Sequence, residues 1–92
     1  MNSGLRLVRT NQFKRDYKRA QRRGHDLMKL VDVVGQLAHG EFLQAKYRDH
    51  ALLGEFSDCR ECHIEPDWLL MYKRTRYELV LIRTGTHAEL FE

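Results

Sequence analysis

The sequence predicts an α+β domain, in which an N-terminal strand and two antiparallel helices pack on a four- to five-stranded, mainly antiparallel sheet. Two observations lead to this fold. Helical periodicity dominates the first half of the chain, and short strand-like runs separated by turn residues fill the second half. This order places both helices on one face of the sheet, so functional groups are expected on the other. At 92 residues the chain fits one domain, assigned to residues 1–92.

Apolar spacing and capping residues define the elements of the first half. Residues 5–10 are predicted to form a short strand, and Asn11 can cap the helix that follows. Gly24 ends that helix, whose apolar stripe comprises Phe13, Tyr17 and Ala20. Asp26 can cap a second helix, which Gly40 ends. The apolar stripe of the second helix comprises Leu27, Leu30, Val31, Val34, Leu37 and Ala38. The short connection predicts that the helices are antiparallel neighbours.

The second half is predicted to be a loop followed by a strand meander. Residues 41–51 show no clear period and are assigned to the loop. Asp67, which follows the single proline, and Arg76 mark turns between later strands. The predicted strand-like runs lie near 53–57, 59–65, 68–75 and 77–84, the last being the clearest.

Basic residues are concentrated near the start of the chain. Lys and Arg number 16 against 13 Asp and Glu, which gives a net charge of +3. A candidate RNA- or ribosome-binding stripe on the first helix comprises Lys14, Arg15, Lys18, Arg19, Arg22 and Arg23. Such a stripe is typical of a polyanion binder, although a solvated helix face gives the same pattern. Because the sequence shows neither a signal-peptide pattern nor an apolar run of ~20 residues, we expect a cytoplasmic protein with no membrane association.

The segment Cys59-Arg60-Glu61-Cys62-His63 matches the C-x-x-C-H pattern of c-type haem attachment. In a strand, residues three apart point to opposite faces, which disfavours haem, a zinc half-site and a redox pair. Two cysteines also do not make a disulfide framework. We therefore expect two ordinary half-buried cysteines and no cofactor.

Histidine is the more informative residue type. His25 and His39 lie beside helix ends and are expected at the surface. His63, Asp67, Arg83 and His87 lie near strand ends, where a sheet can bring them together, and His50 has a similar polar context. Imidazole, carboxylate and guanidinium can supply the base, acid and cation for RNA cleavage without a metal. The same groups could bind zinc as three histidines and an aspartate, or be scattered surface residues.

Three segments carry a family resemblance: 47–54 (YRDHALLG), 62–72 (CHIEPDWLLMY) and 83–91 (RTGTHAELF). In order, spacing and chain length they resemble the YafQ branch of the RelE-type toxin superfamily. The resemblance implies a ribosome-dependent endoribonuclease that cuts mRNA in the 70S ribosome. It also implies a ribbon-helix-helix antitoxin of the DinJ or RelB type, whose tail wraps the toxin and whose folded part binds operator DNA.

Residue by residue, the resemblance places catalytic groups at His50, His63, Asp67 and His87, and a phosphate-binding arginine at Arg83. It places a supporting tryptophan at Trp68 and a terminal aromatic at Phe91, to which an unstacked RNA base could stack. From the chemistry, His87 in a glycine-containing turn is the candidate acid, and Asp67 or His50 the candidate base. His63 would orient the phosphate, and Trp68 would wall the site.

Two other functions remain open. A toxin of the same fold can bind a protein such as DNA gyrase, but that relative lacks the histidines found at His50, His63 and His87. A binding module without chemistry would need only the basic first helix.

Overall fold

A computed structural model describes residues 4–91 of the chain. The strands are β1 (Arg6–Arg9), β2 (His50–Ala51), β3 (Arg60–Glu65), β4 (Trp68–Arg74) and β5 (Glu78–Gly85). The helices are α1 (Asn11–Arg22), α2 (Leu27–Ala38) and α3 (His87–Phe91), with 3₁₀ turns at Ala45–Tyr47 and Gly54–Phe56. The strands form one sheet in the order β1-β5-β4-β3-β2. The β1–β5 pair is parallel and the other pairs are antiparallel, which confirms the predicted fold class.

The cap of α1 differs by one residue from the prediction, and the cap of α2 agrees with it. Thr10, not Asn11, caps α1, because its hydroxyl accepts a hydrogen bond from the Phe13 amide at 2.9 Å. The same hydroxyl donates to the Ile82 carbonyl at 2.8 Å, so the cap also joins α1 to β5. The predicted cap of α2 is confirmed, since Asp26 accepts from the Met28 amide at 3.1 Å.

The hydrophobic core lies between the helices and one face of the sheet. Buried side chains of α1 and α2 pack there against buried residues of β3, β4 and β5. The core comprises Phe13, Ala20, Leu30, Val33, Leu37, Cys62, Ile64, Trp68, Leu70, Tyr72, Leu79 and Leu81. Among residues 4–91, no helix combines the length and apolar character needed to cross a bilayer.

The predicted strand at 53–57 is wrong. Gly54 has a φ of +67°, and a 3₁₀ turn follows it at Gly54–Phe56, so the chain cannot continue as a strand there. The Leu52 amide instead donates to the Cys59 carbonyl at 3.0 Å, which closes the segment into a loop. The strand lies at His50–Ala51, inside the region predicted as a loop, and pairs with β3.

The C-terminal helix α3 is absent from the sequence prediction, which placed His87 in a turn. Thr86 and Glu89 form a reciprocal capping box at its start. The Thr86 amide donates to Glu89 at 2.9 Å, and the Glu89 amide donates to the Thr86 hydroxyl at 3.1 Å. His87 is therefore the first residue of a capped helix, in a fixed position after β5.

The strand register places two candidate site residues, His50 and Arg83, in one row across the sheet. His50 pairs with Glu61, Glu61 with Met71, and Met71 with Arg83. One extra residue, Ile82, interrupts the pairing of β5 with β4 just before Arg83. Such a bulge changes the direction of the next side chain, here that of a predicted site residue.

Candidate active site

Three histidines from separate elements lie together. The ring centroids of His50 and His63 are 6.4 Å apart, and those of His63 and His87 are 5.5 Å apart. His50 comes from β2, His63 from β3, and His87 from the start of α3. The structure thus joins the three histidines singled out from the sequence, with His63 in the middle.

Asp67 binds His87 through two contacts. Its Oδ1 accepts hydrogen bonds from the His87 amide at 3.0 Å and from the His87 ring Nδ1 at 2.7 Å. These bonds, the amide first, hold the pKa of Asp67 below its ordinary value. Asp67 lies in the turn between β3 and β4, so the turn orients the first side chain of α3.

All three histidine rings are held through Nδ1, so Nε2 is the nitrogen left unbound by these contacts. His50 Nδ1 lies 2.7 Å from the Arg48 carbonyl, and His63 Nδ1 lies 3.3 Å from the Pro66 carbonyl. Because these carbonyls, like the ionised Asp67, can only accept, each Nδ1 carries the hydrogen. Nε2 is therefore the nitrogen that each ring has left for proton transfer.

Glu61 is a site residue that the sequence reasoning missed. Its Oε1 lies 3.6 Å from Nε2 of both His50 and His63, and its side chain is 6% exposed. The available signal was its position two residues before His63, since alternate strand residues share a face. Glu61, His63 and His87 each offer one ligand atom within 4.8 Å of the others and could hold a metal ion. This set differs from the predicted zinc alternative of three histidines and an aspartate, because it has two histidines and includes Glu61 in place of Asp67.

Arg83 binds the buried carboxylate of Asp16, a second residue that the sequence analysis missed. Its Nε and Nη2 donate to the two oxygens of Asp16 in α1 at 3.0 and 3.1 Å. Asp16 is fully buried and also accepts from the Thr84 amide at 3.2 Å and from Gln12 at 3.0 Å. Burial opposes ionisation, but the hydrogen bonds from Arg83, Gln12 and Thr84 outweigh it and lower the pKa of Asp16. The contacts of Arg83 are with Asp16 and the Glu89 carbonyl, which fix it between α1 and α3.

Trp68 supports the site from the core and does not form its open wall. It is 1% exposed, and its ring N–H donates to the Thr84 hydroxyl at 3.0 Å. His25, predicted at the surface, is half-buried and stacks on it with ring centroids 4.4 Å apart. Phe91 is 43% exposed and packs edge-on against Phe56 at 6.1 Å.

The basic stripe of α1 divides into two groups. Arg19 and Arg23 form ion pairs with Glu89, and Arg19 also contacts Asp16 at 3.0 Å. These two arginines attach α1 to α3. The remaining side chains are exposed: Lys14, Arg15, Lys18 and Arg22.

The two cysteines are free thiols and are more buried than predicted. Cys59 is 7% exposed and Cys62 is fully buried in the core. Burial raises the pKa of the Cys62 thiol to about 12 and also raises that of Cys59. Both thiols are therefore protonated and unreactive at neutral pH.

Comparisons with known proteins show the class of protein to which this chain belongs. The family model for YafQ, the bacterial toxin of a type II toxin–antitoxin system, matches residues 5–92. The mRNA interferase toxin YafQ of Escherichia coli K12 is 43% identical over 83 residues, 89% of this chain and 90% of that protein. In the E. coli DinJ–YafQ toxin–antitoxin complex, the matching chain has 40% identity and a TM-score of 0.91, covering 97% of this chain and 99% of that one.

A metal-bound toxin from Helicobacter pylori is 43% identical and has a TM-score of 0.89, covering 95% of this chain and 99% of that one. Fold and site thus define a small bacterial toxin of the type II toxin–antitoxin class. Within that class, the chain belongs to the YafQ family.

Proposed function

We propose that this chain is a toxin that cleaves mRNA in the 70S ribosome by metal-independent acid–base catalysis, and so inhibits translation. The observation that carries the proposal is the common orientation of His50, His63 and His87, each with Nδ1 anchored and Nε2 available. The E. coli relative named an mRNA interferase supports the choice of substrate.

The order of the three rings fits in-line cleavage of RNA. One group takes the proton of the 2′-hydroxyl as the 2′-oxygen bonds to phosphorus, and another protonates the 5′-oxygen as its bond to phosphorus breaks. We assign the base to His50 and the acid to His87, on either side of His63. His63 then faces the phosphate, and the nearby Glu61 carboxylate stabilises the protonated rings.

The contacts of Asp67 favour a positioning role over the predicted alternative of a base. Within the described residues 4–91, both of its hydrogen bonds come from His87, and its lowered pKa makes it a weak proton acceptor. Arg83 can still bind a phosphate. Among residues 4–91, three of its five N–H groups donate to Asp16 and Glu89, which leaves two for a ligand.

We further propose an antitoxin partner of the ribbon-helix-helix type, because a close structural relative is bound to DinJ. The complex would bind operator DNA, and the free toxin would act in the cytoplasm, where mRNA and ribosomes are found. The exposed part of the α1 stripe is the surface proposed to contact ribosomal RNA.

The metal-bound H. pylori toxin supports a second role for the Glu61, His63 and His87 group, as a site for a transition metal. A bound ion would occupy imidazole lone pairs that acid–base catalysis uses. We therefore propose that such an ion inhibits the reaction and is not required for it.

Replacing His87 by Ala tests the proposal. We expect the cleavage rate on mRNA-programmed ribosomes to fall by about 10²–10⁴-fold and growth arrest on expression to disappear. His39→Ala, on the exposed C-terminal cap of α2, is the control. Near-normal cleavage by a folded His87→Ala protein would exclude His87 as the acid. Growth arrest by wild type without RNA cleavage would favour a toxin that binds its target.

A further inference from the structure

A cavity of about 620 Å³ opens beside the histidine cluster. Its walls are α2, the 3₁₀ turn at Ala45–Tyr47 with Arg48, and the end of β3. Its volume lies in the range of small-molecule sites of ~300–1,000 Å³, which is large enough for a nucleotide.

His63 belongs to both the cavity and the cluster. It lines the cavity, and its ring lies between those of His50 and His87. An RNA strand with a phosphate at His63 therefore has a neighbouring nucleotide at the mouth of this cavity.

The cavity carries cations that are free to bind a phosphate. Lys46 and Arg48 are exposed, and among residues 4–91 neither side chain forms an ion pair. Lys29, on the opposite wall, is instead bound to Glu65 at 2.7 Å. The half-buried ring of Tyr47 comes between these two residues in the sequence, and Lys46 Nζ lies 5.1 Å from its centroid. A flat aromatic flanked by cations is the usual arrangement for stacking a base and holding its phosphate.

The turn that lines the cavity also holds a catalytic group. Arg48 has a φ of 50°, in the left-handed region, and its carbonyl accepts from His50 Nδ1 at 2.7 Å. A ligand that fixes this turn would therefore also fix the ring assigned as the base.

We propose that this cavity binds the nucleotide of the mRNA that adjoins the scissile phosphate. Lys46 and Arg48 bind its phosphate, and its base packs against Tyr47. The proposal rests on the proposed ribonuclease function and adds a substrate subsite to it. An acidic segment of a protein partner is the competing occupant, which the test distinguishes.

The test is the double variant Lys46→Gln, Arg48→Asn, because Asn tolerates the left-handed backbone at position 48. Arg76→Gln, in the exposed turn between β4 and β5, is the matched control. With mRNA-programmed ribosomes, we expect KM to rise about tenfold, the equivalent of one lost charged hydrogen bond, with kcat little changed. Binding of a short RNA with a 2′-deoxy cleavage site should also weaken, and its salt dependence should flatten by about 0.7 per lost phosphate contact.

The outcomes separate this proposal from the ribonuclease function. Unchanged KM and RNA binding in the double variant, with wild-type cleavage intact, would overturn the subsite and leave the function standing. Weaker antitoxin affinity with unchanged RNA binding would assign the cavity to the protein partner and would also overturn it. If wild type does not cleave mRNA at all, the proposed function fails first.

Discussion

Asp16 and Arg83 form a bidentate ion pair between the first helix and the last strand, with distances of 3.0 and 3.1 Å and a fully buried carboxylate. The same carboxylate accepts from the Thr84 amide, and the Thr84 hydroxyl accepts from the buried Trp68 ring. The pair therefore joins the proposed phosphate-binding arginine to the core, which has consequences for both stability and activity.

Asp16→Asn should lower the free energy of unfolding by about 1.5–3 kcal/mol at neutral pH, because it removes the buried charge that the partly exposed Arg83 and Arg19 bind. The folded-state pKa of Asp16 is below its unfolded value of 3.8. Its stabilisation is thus complete above that value and is lost as pH falls through the folded pKa. In urea unfolding between pH about 2 and 7, the variant should lose less of its free energy of unfolding than wild type as the pH falls. Parallel plots of unfolding free energy against pH for wild type and variant would contradict the assigned role of Asp16. Asp32→Asn, on the exposed face of α2, is the control.

Much of this fold could be predicted because local signals agreed with the tertiary structure. The stripe of α2, its Asp26 cap and the strand at Glu78–Gly85 each follow from spacing or capping residues alone. The site histidines and Asp67 could be singled out by residue type and their position at strand ends. Their grouping depends on register, which joins His50 to β3 across a two-residue strand too short to show a period.

The missed residues are carboxylates whose partners lie far along the chain. Asp16 interrupts an apolar helix face, and its role depends on Arg83, 67 residues away. Glu61 gains its role from His50 on a neighbouring strand. Glu89 did have a local signal, the Thr86-x-x-Glu89 capping box, but its ion pairs with Arg19 and Arg23 depend on tertiary packing. Two arginines of the predicted RNA-binding stripe, Arg19 and Arg23, for this reason have a structural role.

Glu89→Gln should lower kcat clearly while it lowers the free energy of unfolding only slightly. The substitution retains an oxygen for the Thr86 amide but removes the charge that Arg19 and Arg23 bind, so α3 and its first residue, His87, lose a fixed position. We expect a stability loss of about 1 kcal/mol from the two partly exposed ion pairs, with a clear fall in cleavage at saturating ribosomes. Glu55→Gln, at an exposed 3₁₀ turn, should change neither quantity. A variant with normal kcat would show that His87 is placed by Asp67 alone.

The exposed part of the α1 stripe can be tested without disturbing the ion pairs of α3. Replacing Lys14, Lys18 and Arg22 by Gln avoids Arg19, which contacts Asp16 and Glu89. If the stripe binds ribosomal RNA, each lost phosphate contact should lower the salt slope of ribosome binding by about one unit. Measuring ribosome and antitoxin affinity at two salt concentrations separates the two polyanionic partners. A fall in antitoxin affinity alone would assign the stripe to the antitoxin, and no change in either would make it a solvated helix face.

A metal ion held by the histidine cluster would occupy atoms that the acid and the phosphate-binding ring use. Glu61, His63 and His87 could hold an ion, yet proton transfer by His87 requires its Nε2 to be unligated. Toxin treated with a chelator and then freed of it should therefore cleave mRNA on magnesium-containing ribosomes at the untreated rate. One equivalent of Zn²⁺ should inhibit it, and Glu61→Gln, with a weaker ligand, should need more Zn²⁺ for the same inhibition. Activity that disappears on chelation and returns with Zn²⁺ would make the ion part of the catalyst. Since the Cys62 thiol is buried and protonated, Cys62→Ser should leave the Zn²⁺ response unchanged, which locates the inhibitory site at the histidines.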